Sequence, residues 1–349
     1  MRSRFCRQGK LALLAMAAVV CDVSLHTAAA QSPACTGPMR KINVGVSVAP
    51  PNVVHTAPYI AKALGYFAKR CIDANIIQFD GGAAGTAVTA VGQGTVVTNL
   101  PDIAIARGMR AKQIWGLAPR LPQAYVVAEN IKTPADLKGK RLSAAGGVGG
   151  FNWLMGREVL RRAGLGVEDA QFISQGTAGR LPGLLTGQLD AVFLHPEDVY
   201  LAQQKKPGLH VLVQLSDVLP MQMFNAYGAA DSIIASDREL LRDTMAAMIE
   251  ANRTAYREKE KVVPIIVQAT EKPREAVEHA LDVLIKNCVW SVNEGLSRER
   301  SESTMQRNVD VGDLEKEKKI AFEQTVDFKL ASEAVEAAGG RVTIGNCKE

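Results

Sequence analysis

The feature that most constrains this chain is a long alternation of short β-rich runs with helical spacings, each change marked by a glycine- or proline-rich turn. The run "KINVGVSV" ends at the turn "APPN", and in "TAPYIAKALGYFAKR" the residues Tyr59, Ala63, Tyr66 and Phe67 then recur at helical spacing. Strands "ANIIQF", "TVVTNL" and "AKQIWGLA" follow, separated by a short helix to Val91 and the helix "PDIAIARG". Strands alternating with helices predict a parallel sheet covered on both faces. At "QAYVVAENIKTPADLKGKRLSAA" an extended run meets a Thr-Pro turn and a short helix that stops at Gly139, which marks entry into a second domain. There the scheme recurs: strand "RLSAA", a helix from Phe151 to Ala163, strand "QFISQ", helix "AGRLPGLLTG", strand "AVFL", helix "PEDVYLAQQ" and strand "HVLVQL". After the extended "MQMFNAYGAADSIIAS" the chain is almost wholly helical, and its charge-dense piece "EGLSRERSESTMQRNVDVGDLEKEKK" reads as a solvated surface of mixed sign. A length of 349 residues suits two such domains.

Residues 1–30 have the layout of a signal peptide. A segment with four positive charges precedes the apolar "LALLAMAAVV", and Ala28 and Ala30 form a small-residue cleavage site. The apolar run is too short to span a bilayer. Cleavage would remove Arg2, Arg4, Arg7 and Lys10 against Asp22, lowering the formal charge from +5 to +2, which leaves no nucleic-acid reading. Cys35, Cys71, Cys288 and Cys347 would then remain, in a compartment that permits disulfides. A Cys35–Cys347 bridge is favoured because domain termini often lie close together, with unpaired buried cysteines as the alternative.

In open α/β sheets ligands sit beyond the carboxyl ends of the strands. The loops there are "PPNVVHTAP", "DGGAAGT" and "TNLPD" in the first domain and "AAGGVGGFN", "QGTAGR" and "LHPED" in the second. Their glycines expose N–H groups at helix starts, where the macrodipole favours an anion. The turn "GGVGGFN" is not a dinucleotide fingerprint, because Asn152 stands where the third glycine belongs and Glu168 and Asp169 precede the next strand instead of ending it. No G-K-[ST] follows any of these turns, no G-x-S-x-G elbow is present, and no His/Cys/Asp cluster has metal-ligand spacing. His55 and His195 are open to three readings, as loop caps or structural residues, as ligand contacts or as catalytic groups, and Arg180 either pairs with a ligand carboxylate or faces solvent. Glu197 and Asp198 suit the first turn of a helix.

Three ordered pieces, "APYIAKALGYFAKRCIDANIIQFDGG", "TPADLKGKRL" and "AGRLPGLLTGQLDAVFLHP", resemble the extracytoplasmic substrate-binding proteins of ABC importers, in the branch for nitrate, taurine, alkanesulfonates and thiamine precursors. The resemblance covers roughly residues 40 to 290. It implies the type II periplasmic-binding-protein fold: two doubly wound α/β lobes joined by two crossover strands, near Gln123–Ala128 and Met223–Ile234, with C-terminal helices packed on the lobes. Lobe one would comprise 31–125 plus about 230–349, and lobe two 126–229. The cleft between them would be lined by His55, Thr56, Tyr59, Gly82, Thr86, Thr98 and Asn99 from lobe one. Gly149, Gly150, Phe151, Asn152, Arg180 and His195 would line it from lobe two, with Tyr227 on the return crossing.

The function implied is a monomeric periplasmic receptor without cofactor, metal or catalytic residues, which hands a small organic ligand, an anion such as a sulfonate or aromatic carboxylate, to a membrane permease. An enzyme on the same fold, thiamine-pyrimidine-forming or desulfinase-like, and a ligand-sensing partner of a receptor are the alternatives. Two departures from the family pattern stand out: Thr95 replaces an aspartate at a strand start, and Cys71 stands where a glycine commonly ends the first helix.

Overall fold

The computed structural model describes residues 35–79 and 84–347, with backbone alone for 84–86. The expected leader lies outside these residues. Among the described residues, ten strands form two five-stranded sheets. They are β1 (Arg40–Val46), β2 (Ile72–Gln78), β3 (Val96–Thr98), β4 (Ala111–Ala118), β5 (Ala124–Val127), β6 (Arg141–Ala145), β7 (Gln171–Gln175), β8 (Ala191–Leu194), β9 (His210–Gln214) and β10 (Asn225–Ala230). The first sheet runs β2-β1-β3-β10-β4 and the second β7-β6-β8-β5-β9.

Neither sheet is purely parallel. β10 is antiparallel to β3 and β4, and β5 is antiparallel to β8 and β9, which corrects the all-parallel expectation. β2, β3 and β4 in the first sheet and β7, β8 and β9 in the second are reached through helical crossovers, which impose a parallel return. β5 and β10 instead arrive directly from the other sheet and insert with the opposite direction. The sheets therefore divide at slightly different residues from the expected lobe borders: Ala124 and Tyr125 pair in the second sheet, and Asn225–Ala230 pair in the first.

The first lobe's core gathers Val44, Ile60, Ile114, Trp115 and Tyr227 with the buried face of the helix Arg238–Arg257 (Leu241, Met245, Met248). The second lobe has its own cores, one around Tyr125, Leu142, Leu160 and Phe193 and one around Val126, Leu184 and Val192. In both lobes the apolar sheet residues are covered from each face by amphipathic helices, so each lobe removes its sheet from water independently.

After the helix Arg274–Lys286 the chain returns to β4. Gly116 N–H donates to Glu294 O (2.9 Å), and a Cβ on Gly116 would lie 1.9 Å from Gly295 O, so only glycine admits this approach.

The cysteines among the described residues pair as Cys35–Cys71 and Cys288–Cys347, each with Cα atoms 5.3 Å apart. The expected Cys35–Cys347 bridge is thus wrong. Each terminal segment is tied to the end of a different helical turn and not to the other terminus. Cys71 adopts φ +54°, the left-handed geometry usually supplied by glycine, and Cys288 does the same at φ +49°. Among the described residues no helix is long and apolar enough to cross a membrane.

Candidate functional site

The two lobes meet along the carboxyl ends of their strands. Asn52 and His55, beyond β1, face His195 and Glu197, which follow β8 at the start of the helix Pro196–Lys205. His55 and His195 stand edge to face with ring centroids 5.7 Å apart, and Phe224, just before β10, lies 6.0 Å from the first and 6.1 Å from the second. Neither ring nitrogen of His55 has a hydrogen-bond partner among the described residues, nor does Nδ1 of His195. His195 Nε2 lies 3.3 Å from the amide nitrogen of Gln123 on the first crossing.

Arg180 is buried behind this pair and donates from Nε to Thr177 O (3.1 Å) and from Nη1 to Phe193 O (3.0 Å), which fixes the direction of its guanidinium. Burial, with the Arg180 charge as the second cause, holds His55 down to about 3. His195 is likewise held well below the ordinary histidine range by burial, then by Arg180, His55 and Lys272. Both imidazoles are therefore neutral at pH 7, and each can donate from one nitrogen.

Beside them the lobes are tied together. Asn52 Nδ2 and Val53 N–H donate to Glu197 Oε1 at 3.0 and 3.1 Å, and Lys272 Nζ bonds the Asp198 carboxylate. Glu197 is fully buried, and burial, reinforced by Asp198, pushes its carboxyl up to about 7. These two acids thus do more than suit a helix dipole, since both are spent across the lobe interface.

On the other side of Phe224 lies a cavity of about 180 Å³ between the lobes. Gly149, Gly150 and Phe151 line it from lobe two, Ser47, Asn99 and Asp102 from lobe one, and Phe224 and Asn225 from the second crossing. Gly150 takes the extended backbone of an N-cap, after Gly146, Gly147 and Gly149 turn the chain at φ between +82° and +88°. That geometry is open to glycine and costly for other residues, and it brings the start of the helix Phe151–Arg162 to the cavity wall. Asn99 adopts φ +59° and donates from Nδ2 to Ser47 Oγ (2.6 Å).

The remaining expected residues are placed as follows. Thr98 is occupied within lobe one by Ser47, whose N–H donates to it at 3.0 Å, and Thr56 donates to Val53 O at 2.8 Å. The Tyr59 hydroxyl accepts from Gln78 Nε2 (2.8 Å). Asn152 donates to Ala145 O (3.2 Å), while its Oδ1 has no partner among the described residues. Tyr227 stacks on Trp115 in the lobe-one core, ring centroids 5.9 Å apart. Gly82 and the side chain of Thr86 lie outside the described residues. Gln123, Phe224 and Asn225, which lie on the two crossings, join the expected residues in this arrangement. No group of three or more metal-ligating side chains is present among the described residues.

This architecture is shared with proteins of known structure. The periplasmic aliphatic sulphonate-binding protein SsuA of Escherichia coli is similar at a TM-score of 0.64 and 21% identity, over 82% of this chain and 91% of that one. The periplasmic nitrate-binding protein NrtA of Synechocystis PCC 6803 is similar at 0.67 and 13%, over 86% and 89%. The desulfurization enzyme DSZB also shares the fold, at 0.57 and 15% over 85% and 99%. At these identities the likeness establishes the fold alone. In sequence, a Brucella abortus binding protein is 29% identical over 133 residues, 37% of this chain and 41% of its own length. The chain thus spans about two fifths of the length of the curated relatives it matches. Residues 52–261 match the NMT1/THI5-like family model, and the chain belongs to that family.

Proposed function

We propose that this protein is an extracytoplasmic solute receptor, which captures a small organic anion between its lobes and delivers it to an ABC import permease. The observation that carries the reading is the interlobe set of buried donors, Arg180, His55, His195 and Gln123, with imidazole nitrogens that have no partner among the described residues. Buried polar groups are normally satisfied, so a concentration of unsatisfied ones facing a lobe interface calls for a bound group. A sulfonate or carboxylate offers the acceptors these donors need, and its charge would pair with the guanidinium. The start of the helix Phe151–Arg162 adds the favourable end of a dipole. The layout of residues 1–30 supports export to the periplasm, where such a receptor works. Lobe closure would then be the signal read by the permease.

The shared fold of a desulfurization enzyme gives the enzymatic alternative its weight. A cysteine nucleophile needs a free thiolate, whereas Cys35, Cys71, Cys288 and Cys347 are all committed to disulfides. A thermal-shift series with alkanesulfonates, benzenesulfonate, aromatic carboxylates and nitrate tests the receptor reading. A true solute at 100 times its Kd adds about 2.7 kcal/mol. Arg180→Ala should weaken that binding by about 2 to 5 kcal/mol. Product formation from any of these compounds, with no shift of the melt, would overturn the proposal.

A further inference from the structure

The charge-dense segment near the C-terminus, expected to be plain solvated surface, reaches into the cleft. Its helix Arg298–Asp310 leaves lobe one just after the close contact at Gly295. Thr304 Oγ1 accepts from Met223 N–H (2.8 Å) and Arg300 Nη1 donates to Pro220 O (2.5 Å), which fastens the helix to the second crossing. Asn308 Nδ2 lies 3.4 Å from both carboxylate oxygens of Asp102 in lobe one. Just beyond the helix, Asp313 receives both terminal nitrogens of Arg157 in lobe two at 2.8 and 2.5 Å, while its carbonyl accepts from Arg107 of lobe one (2.7 Å). Ser301 and Thr304 line the same 180 Å³ cavity as Phe151 and Phe224. Ser301 Oγ is buried there without a partner among the described residues, as is Nδ2 of Asn225, a residue only 1% exposed.

We propose that the helix Arg298–Asp310 is a third wall of the solute site, clasped by Arg157 and Asp313, and that with Phe151, Phe224 and Asn225 it encloses a compartment for the uncharged body of the solute. This rests on the receptor reading above and adds the part of the solute that Arg180 does not touch. A cavity of about 150 Å³ accommodates benzene, so the compartment takes one ring or a branched group of that size. Ser301 and Asn225 select a body with a hydrogen-bonding substituent. The aromatic walls favour a flat one.

Three probes separate the parts: methanesulfonate (anionic head only), benzamide (ring without charge) and benzenesulfonate (both), each titrated against the full chain and its Ser301→Leu variant. The leucine fills the compartment from the helix side. Benzamide and benzenesulfonate should bind the wild type and lose at least tenfold in affinity in the variant, with methanesulfonate unchanged. Ring probes that fail to bind the wild type, or that ignore Ser301→Leu, overturn the compartment. Failure of methanesulfonate alone counts against the anion reading and leaves the compartment to be judged by benzamide. The clasp is tested without any solute by hydrogen exchange. Asp313→Ala should speed exchange in Arg298–Asp310 at least tenfold and leave Arg238–Arg257 unchanged, and equal rates in the helix overturn it. Arg157→Gln gives the same readout should Asp313→Ala unfold the whole chain.

Discussion

His55 and Glu197 are moved by the same cause, burial, in opposite directions on the pH axis. The folded state holds His55 at about 3, so between there and the ordinary value near 6.5 the unfolded chain binds the extra proton and stability falls as pH falls. Glu197 is held up at about 7, so between the ordinary 4.5 and 7 the folded chain keeps a proton that the unfolded one releases, and stability falls as pH rises. His55→Asn should therefore remove about 2 kcal/mol of the loss seen between pH 6.5 and 5. Glu197→Gln should remove a loss of about 2 to 3 kcal/mol between pH 4.5 and 7. Urea unfolding across this range checks both, and curves parallel to the wild type for either variant would refute the assignment. At this scale the sequence offers candidates where chemistry and position coincide. His55, His195 and Arg180 are polar residues just beyond strands, where an α/β sheet places its ligands. Phe224 and Ser301 carried no such mark, because an apolar residue on a crossing and a serine in a charged helix have many ordinary uses.

The secondary elements were the most legible part of the chain. β4, β6, β7 and β8 coincide with the runs read as strands, since their β-rich segments are bounded by glycine and proline turns. Strand direction was not legible, because pairing is decided by what lies between strands and not by their own residues. The disulfides follow a local rule that spacing could not show: each fastens a terminal segment to a cysteine in a left-handed turn at the end of a helical segment. Replacing both Cys288 and Cys347 by serine should cost about 4 kcal/mol, from the entropy of the loop they close across a sequence separation of 59. Calorimetry of the variant would show it, and an unchanged Tm would mean that the C-terminal segment is held by its other bonds. The approach at Gly116 has a similar local test. Gly116→Ala should destabilise by about 1 to 3 kcal/mol by pushing Gly295 off β4, and an unchanged denaturation midpoint would show that the backbone yields freely.

At the scale of the molecule the two sheets have the same plan. In each, the second, first and third strands of the lobe are followed by an antiparallel visitor and then by the fourth. The lobe count was legible from the repeated strand and helix scheme. The likeness of plan was not, because it resides in the order of pairing, and the two lobes show no evident repeat in sequence. The lobes differ in how their visitors arrive. β5 lies within the continuous stretch that forms the second sheet, whereas β10 reaches the first sheet only after that stretch is complete. A fragment spanning 121–219 contains every strand of the second sheet and most of its apolar clusters. It should unfold cooperatively on its own in urea, and a non-cooperative melt would count against an independent second lobe.

The place of β10 between β3 and β4 also orders events in time. A chain emerging from its N-terminus leaves a one-strand gap in the middle of its first sheet until about residue 230 is free. During that interval β3 and β4 present unpaired edges, which are open to wrong partners. The lobe that begins the sequence is therefore the last to close, and a chain arrested before residue 225 would expose adhesive edges in lobe one beside an already finished lobe two.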